Sequence, residues 1–193
     1  SLLSTMYKLF TSLLNNRITC TAEEYDKFAD EQNGFRKDRS CLDHIFTLTS
    51  VIRNRKNQNL PTYVAFVDFE KAFDRVDRDL LMYKLRKCGF GGQMVNMIKT
   101  LYTDCNACVN VNNYLTDVFP SDYGVRQGDA LSPTLFGLFI NDLVAYVNEC
   151  DNGICVSNHK LNALMYADDV ALIADTEQNL QYMLNALETW CRH

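Results

Sequence analysis

Three aspartates stand at the ends of apolar, strand-like runs, where the backbone can hold a carboxylate rigidly. Asp68 follows the run YVAFV, and Asp168 with Asp169 lies between LMYA and VALIA about a hundred residues later. Taken singly, each has an ordinary structural reading: a strand-end cap for Asp68, and a hairpin tip for the Asp-Asp pair, since aspartate tolerates the backbone angles such turns need. Brought together they mean more, because neighbouring carboxylates repel unless something cationic sits between them. Magnesium is the simplest such cation, a hard ion that takes carboxylate oxygens and completes its shell with water and substrate phosphates. Two ions about 3.5 to 4 Å apart can activate an attacking hydroxyl and stabilise the leaving oxygen of an in-line displacement. That is the chemistry of nucleotidyl transfer.

The elements that must position these carboxylates follow from periodicity. Leu9, Leu13 and Leu14 recur at helical spacing, so residues 2 to 18 read as an amphipathic helix. Residues 19 to 40 lose that period and read as a loop with a tight turn at Asn33-Gly34. Leu42, Ile45, Phe46 and Thr49 restore it up to Arg53, Arg55 and Lys56, basic residues that suit a helix C-terminus. After Pro61, TYVAFVDF is expected to form a buried strand. A helix follows from about Asp77 to Cys88, broken by Gly89, Gly91 and Gly92, and another carries Met94, Val95, Ile98, Leu101 and Tyr102. CNACVNVNNYLTDVFPSDYGV alternates like a hairpin around a central Asn pair. Ser132-Pro133 places a cap and an early proline before one long helix over 132 to 149. LNALMYADDVALIAD gives two strands about the acidic turn, and Asp175 with Gln178 resembles a capping box for a last helix through Leu180, Met183, Leu184, Leu187 and Trp190. Helices mixed with a mainly antiparallel sheet predict an α+β fold without an internal linker.

Composition narrows the setting. The chain has 193 residues, 47% of them apolar, with only 3 Pro and 8 Gly, which supplies a core and excludes collagenous or low-complexity architectures. No apolar run approaches the roughly 20 residues of a membrane span. The opening SLLSTMYKLFTSLL lacks the basic start and small-residue cleavage site of a signal peptide. An intracellular chain, nuclear or cytoplasmic and not secreted, is expected. The net charge is −5, with residues 1 to 59 at +2 and the remainder at −7. That balance argues against a basic protein that coats nucleic acid, though not against nucleic acid as a substrate, because bound divalent cations offset carboxylates. Of the eight cysteines, Cys105 and Cys108 form a CxxC within a strand-like alternation that points them to opposite faces. No second pair completes four ligands, so reduced, partly buried thiols are expected in place of a zinc site.

Four strings occur in order: EQNGFRKDRSCLDHIFTL, AFVDFEKAFDRVDRDLL, GVRQGDALSPTLFGLFINDL and LMYADDVALIAD. Together they resemble the reverse transcriptase of non-LTR (LINE-type) retrotransposons, over nearly the whole chain. The resemblance implies a right-hand polymerase palm, an antiparallel sheet packed on helices, with partial fingers and the thumb missing. Residues 1 to 60 are then mainly fingers and 61 to 193 mainly palm. It implies that Asp68, Asp168 and Asp169 are catalytic and, with the backbone carbonyl of Phe69, hold two Mg²⁺ ions, for which Mn²⁺ is a substitute. Phe73 matches an aromatic gate that leaves no room for a 2′-hydroxyl. Gln127 and Gly128 match the segment lining the nucleotide pocket, and Tyr166 lies near the primer terminus in the family pattern. Arg36, Lys37 and Arg39 beside Phe35 form a basic loop suited to template phosphates. Lys71, Asp74 and Arg75 are read as structural, Asp74 as a cap. The implied partners are an RNA template, a DNA primer and a dNTP, with no membrane. A primer 3′-hydroxyl would attack the α-phosphate and pyrophosphate would leave.

Rival readings differ at specific residues. An RNA-dependent RNA polymerase resembles GDD at the turn and places an aspartate where this sequence has Phe73. Group II intron maturases share YADD but read differently at DFEKAFD and RQGDALSP, and a palm-type nucleotide cyclase would need no template loop. The non-enzymatic alternative is a truncated retroelement remnant that keeps the palm without polymerising unaided. The chain starts after the Arg-Pro-Ile segment of the family pattern and ends before its thumb, which reads as a fragment.

Overall fold

The helix that starts at Cys41 ends at Asn57, where Asn59 turns left-handed at φ of 55° and the Leu60 N–H donates back to the Arg55 carbonyl, and the β-branched, aromatic run after Pro61 extends into a strand. The computed structural model describes residues 3 to 149, 152 to 156 and 159 to 192. Its helices are α1 (Thr5–Glu24), α2 (Cys41–Asn57), α3 (Arg78–Lys87), α4 (Gly92–Tyr102), α5 (Ser132–Ile140), α6 (Leu143–Glu149) and α7 (Glu177–Cys191). The strands are β1 (Tyr63–Val67), β2 (Asn106–Ala107), β3 (Asn110–Val111), β4 (Tyr114–Leu115), β5 (Phe119–Pro120), β6 (Ile154–Val156), β7 (His159–Leu161), β8 (Ala163–Tyr166) and β9 (Asp169–Ala174). The fold is mixed α+β with small antiparallel sheets, as the element order predicts. Leu2 and Cys150 lie outside the described residues.

The chain divides into two compact units, Ser1–Ile18 with Lys71–Phe139 and Thr19–Glu70 with Ile140–His193. The second holds a three-stranded antiparallel sheet in the order β1-β9-β8. One face, with Val64, Leu164, Ala171 and Ile173, packs on Leu48 and Val51 of α2 and on Ile154 of β6, which pairs with β7. The other face meets α7, whose Met183 and Leu187 are buried. Leu172 is fully buried on that side, paired with Ala65 and Ala163. Leu172→Ala is expected to cost about 3 kcal/mol in urea unfolding, the range for a core leucine that leaves a cavity.

In the first unit α3 and α4 pack together, and Leu81 and Leu85 of α3 and Val95 and Ile98 of α4 are buried. Two short ribbons, β2 with β5 and β3 with β4, follow. Asn112 and Asn113 turn between β3 and β4 with φ of 50° and 67°, the doubly positive pair that a two-residue hairpin requires.

Several expectations need correction. The first helix runs on to Glu24, because Leu14, Ile18 and Ala22 continue a buried stripe and no Gly or Pro interrupts it; Leu9 and Leu13 are exposed. In α2 the apolar series Leu42, Ile45 and Phe46 faces solvent, while Leu48 and Val51 face the sheet. β1 is an edge strand, not a buried one, and Phe66 is 77% exposed. The helix expected over 132 to 149 breaks into α5 and α6. At the break the Asn141 side chain accepts from the Ala29 N–H at 2.7 Å and donates to the Lys27 carbonyl at 2.9 Å, and Asp142 accepts from the Trp190 indole at 2.8 Å. Ser132 is the first residue of α5, and its hydroxyl donates to the Arg126 carbonyl instead of capping. Thr176, not Asp175, caps α7 by accepting from the Asn179 N–H. Among the described cysteines Cys105 is buried and Cys88 half-buried, and the other five are exposed.

Candidate active site

Strand register assembles the acidic cluster. Val67 pairs with Val170 and Tyr166 with Asp169, so Asp68, one residue past Val67, emerges beside Asp169. Both line a cleft of about 340 Å³ whose walls include His44, Ile45 and Leu48 of α2, Phe66, and Tyr166. Asp168 occupies the turn between β8 and β9. None of the three carboxylates has an ion-pair or hydrogen-bond partner among the described residues. The ring of Phe69, the residue that follows Asp68, meets Trp190 edge-on with centroids 6.1 Å apart.

These carboxylates are the hard oxygen donors that a divalent ion prefers, and the register sets the Asp68 and Asp169 positions opposite one another with Asp168 next in the chain. The donor chemistry therefore fits a magnesium or manganese ion. The side chains do not converge as a closed cage: among the described residues no group of three His, Cys, Asp or Glu is disposed to hold a metal. The register supplies the pair Asp68 and Asp169, with Asp168 next to it on the turn.

The turn itself is strained. Ala167 adopts φ of 59°, a left-handed conformation that costs an alanine about 1 to 2 kcal/mol. It persists because the segment Glu31 to Gly34 lies along β8: the Met165 N–H donates to the Glu31 carbonyl at 2.8 Å, and the Asn33 N–H donates to the Met165 carbonyl at 2.9 Å. His44 adds Nε2 at 2.9 Å from the Met165 carbonyl and Nδ1 at 3.3 Å from the Asn33 amide, so geometry assigns the proton to Nε2.

Of the basic loop, Arg36 departs from expectation. Its guanidinium, 7% exposed, makes a forked ion pair with Glu23 at 2.7 and 2.9 Å, donates to the Ala29 and Gln32 carbonyls, and lies over the Phe28 ring at 5.2 Å. With its donors so engaged, Arg36 organises the loop and has no fork left for a phosphate. Arg39 bonds Asp30 at the surface at 2.8 Å, Lys37 is exposed, and Phe35 faces Tyr166 with ring centroids 6.5 Å apart. The Arg36 hydrogen bond holds the Glu23 carboxyl below its usual range. A depressed carboxylate stabilises above its unfolded pKa and stops doing so as pH falls through the folded one. Arg36→Ala is thus expected to lower stability by about 2 kcal/mol at pH 7, the scale of charge-assisted bonds, with the difference shrinking in urea titrations as acid protonates Glu23.

The first unit gathers the other expected residues. Phe73 sits in a short 3-10 turn, Ala72–Arg75, with its ring stacked on Phe136 at 4.2 Å. The 124 to 128 loop docks on this turn: the Gly124 N–H donates to the Val76 carbonyl, the Val125 N–H to the Phe73 carbonyl, and Gln127 reaches the Asp74 carboxylate at 3.4 Å. Asp74 therefore serves this loop and does not cap the turn, whose N-cap is Lys71. Arg126 and buried Asp129 anchor the loop on either side. Arg126 donates to the Leu101 carbonyl and to the Cys105 sulfur, and Asp129 accepts from the Tyr7 hydroxyl, which burial, first, and this carboxylate push well above the usual tyrosine range. Gln127 and Gly128 stay exposed between the anchors, and Gly128 has φ of 81°, where a side chain would be strained. Gln32, His44, Arg126 and Asp129 lie within the motif strings, yet residue type and spacing alone give none of them a role.

The strand ends thus place Asp68 and Asp169, both exposed, in the lining of one cleft. The chain belongs to the reverse transcriptase (RNA-dependent DNA polymerase) family, whose pattern matches residues 1 to 193. It is 31% identical over 199 aligned positions to a probable RNA-directed DNA polymerase from transposon BS of Drosophila melanogaster, covering 100% of this chain and 21% of that protein. It is 30% identical over 183 positions to the 149 kDa protein of transposon TX1 of Xenopus laevis, covering 94% and 14%. These relatives place it with the reverse transcriptases of non-LTR retrotransposons, of which it spans a minor part of the length. Its fold is similar to that of apo telomerase from Candida tropicalis, with a TM-score of 0.67 at 14% identity over 94% of this chain and 37% of that one. No helix among the described residues is long and apolar enough to cross a membrane.

Proposed function

We propose that this chain carries the polymerase chemistry of a non-LTR retrotransposon, extending a DNA primer on an RNA template with dNTPs inside the cell. The observation that carries it is the register that sets Asp68 opposite Asp169, next to Asp168, with Asp68 and Asp169 lining a cleft that holds no Lys or Arg among the described residues. In this reading residues 61 to 193 form mainly a right-hand palm and 1 to 60 mainly fingers.

Asp68, Asp168, Asp169 and the Phe69 carbonyl would hold divalent ions, Mg²⁺ or Mn²⁺, which when bound lower the pKa of the attacking hydroxyl and neutralise charge on the leaving pyrophosphate. The protein's own part is positioning. Phe73 is assigned to the deoxyribose, where its stack on Phe136 keeps the ring from giving way. Gln127 and Gly128 are assigned to the nucleotide, on a loop that Arg126 and Asp129 hold from both sides. Tyr166 is assigned to the primer end and Arg39 to template phosphate, with Arg36 as the loop's internal support. Such transfers depend mainly on orientation and on charges fixed in advance.

The test is primer extension on an RNA template with Mg²⁺ and dNTPs, by the chain alone and joined to the flanking regions its relatives carry. Extension by the joined form is expected. Its absence in both would favour the retroelement remnant, which keeps the fold without turnover.

A further inference from the structure

Gln32 is an uncharged amide with 0% exposure, on a loop, aimed at the acidic turn. Its Oε1 accepts from the Ala167 N–H at 2.8 Å and from the Gly34 N–H at 2.7 Å, while its Nε2 donates to the Ala167 carbonyl at 3.1 Å. One side chain thus satisfies both backbone groups of the residue that precedes Asp168. That residue is the one held at φ of 59°. A second observation points the same way: a methyl group on Gly34 would collide with the Ala167 nitrogen, so the backbone of the loop is fitted against the turn and not merely near it.

A hairpin tip ordinarily takes its conformation from its own sequence, with Gly or Asn at left-handed positions. Here the position is an alanine, and its conformation is imposed from outside by residues 135 positions away in the chain. Rotating the Ala167 peptide would swing the Asp168 carboxylate, the next group along the backbone.

We propose that Gln32 is a positioning residue for the metal-holding carboxylates, clamping the Ala167 peptide so that Asp168 and Asp169 keep a fixed geometry toward Asp68. This rests on the assignment of those carboxylates to divalent ions. A structural glutamine that only filled space would be replaceable by a side chain of the same shape. A clamp is not, because its amide supplies one acceptor and one donor in defined places.

The experiment uses the chain and two variants of near-equal volume. Gln32→Met removes all three bonds, whereas Gln32→Glu keeps the acceptor and loses the donor. Two quantities are read at a temperature where each protein is folded: hydrogen exchange at the Ala167 amide, and affinity for Mn²⁺ by electron paramagnetic resonance. In Gln32→Met the amide is expected to exchange about tenfold faster and Mn²⁺ to bind about tenfold or more weakly, with Gln32→Glu between it and the parent. A lower melting temperature with Mn²⁺ affinity within twofold of the parent would reduce Gln32 to a packing role and overturn the proposal. So would an Ala167 amide in the parent that exchanges as fast as an open turn, a result needing no variant to fold. Failure of the parent to bind Mn²⁺ would instead sink the carboxylate assignment, and with it the metal half of this proposal, while the Ala167 amide still decides the clamp.

Discussion

Asp68→Asn is expected to reduce primer extension on the order of 10²- to 10³-fold, the cost of losing one prepositioned charge at a reacting centre. The melting temperature should stay unchanged or rise slightly. Asp68 is exposed and has no partner among the described residues, so its removal breaks no internal bond. It also relieves the repulsion with Asp169, beside which the register places it. The same pattern is expected of Asp168→Asn. Loss of activity without loss of stability marks a carboxylate kept for chemistry, whereas a strand-end cap would show the reverse. Extension by either folded variant at the parental rate would remove that residue from the catalytic assignment.

Phe73→Val is expected to admit ribonucleotides, lowering the preference for dNTP over NTP by about 10- to 100-fold, the scale on which one steric feature of a pocket discriminates. The geometry argues for valine over a polar replacement. Phe73 stacks on Phe136 at 4.2 Å, and its carbonyl accepts from Val125 at the head of the loop that carries Gln127 and Gly128. Valine leaves that backbone bond in place and shortens the side chain, so the rate with dNTP should fall far less than the selectivity. Competition between a dNTP and its NTP in single-nucleotide addition reads this ratio directly. Unchanged selectivity would leave Phe73 as a core residue packed on Phe136.

What the sequence discloses depends on whether the cause is local. The strand that carries Asp68 and the hairpin that carries Asp168 and Asp169 are local patterns, apolar runs bounded by turn residues, and both form, though the Asp68 strand lies at the sheet edge and not in the core. So do α3, with Asp77 as its cap, and the Asn112-Asn113 turn. Which helix face is buried is a property of the neighbours: the apolar series of Leu42, Ile45 and Phe46 has the right period, yet α2 turns Leu48 and Val51 inward because these meet Ile173 and Ile154. The break between α5 and α6 has the same character, since Asn141 is held by the backbone at Lys27 and Ala29, a hundred residues upstream. By sequence Arg36 is a basic loop residue, and its burial comes from Glu23 on the unexpected last turns of α1 together with the Ala29 and Gln32 carbonyls. Gln32 leaves no trace in spacing because its role is written in three long-range or turn-level hydrogen bonds. The carboxylates stand out in the sequence as strand-end residues, whereas the residues whose hydrogen bonds hold the turn do not.

The central claim is best tested by adding substoichiometric Mn²⁺ to the isotope-labelled chain and recording which amide resonances the paramagnetic ion broadens first. The account predicts early loss of the signals of residues 67 to 69 and 167 to 170 together, and their preservation at the same Mn²⁺ level in the Asp68→Asn chain. Broadening that spares either segment, or that centres on another group of acidic residues, would contradict it.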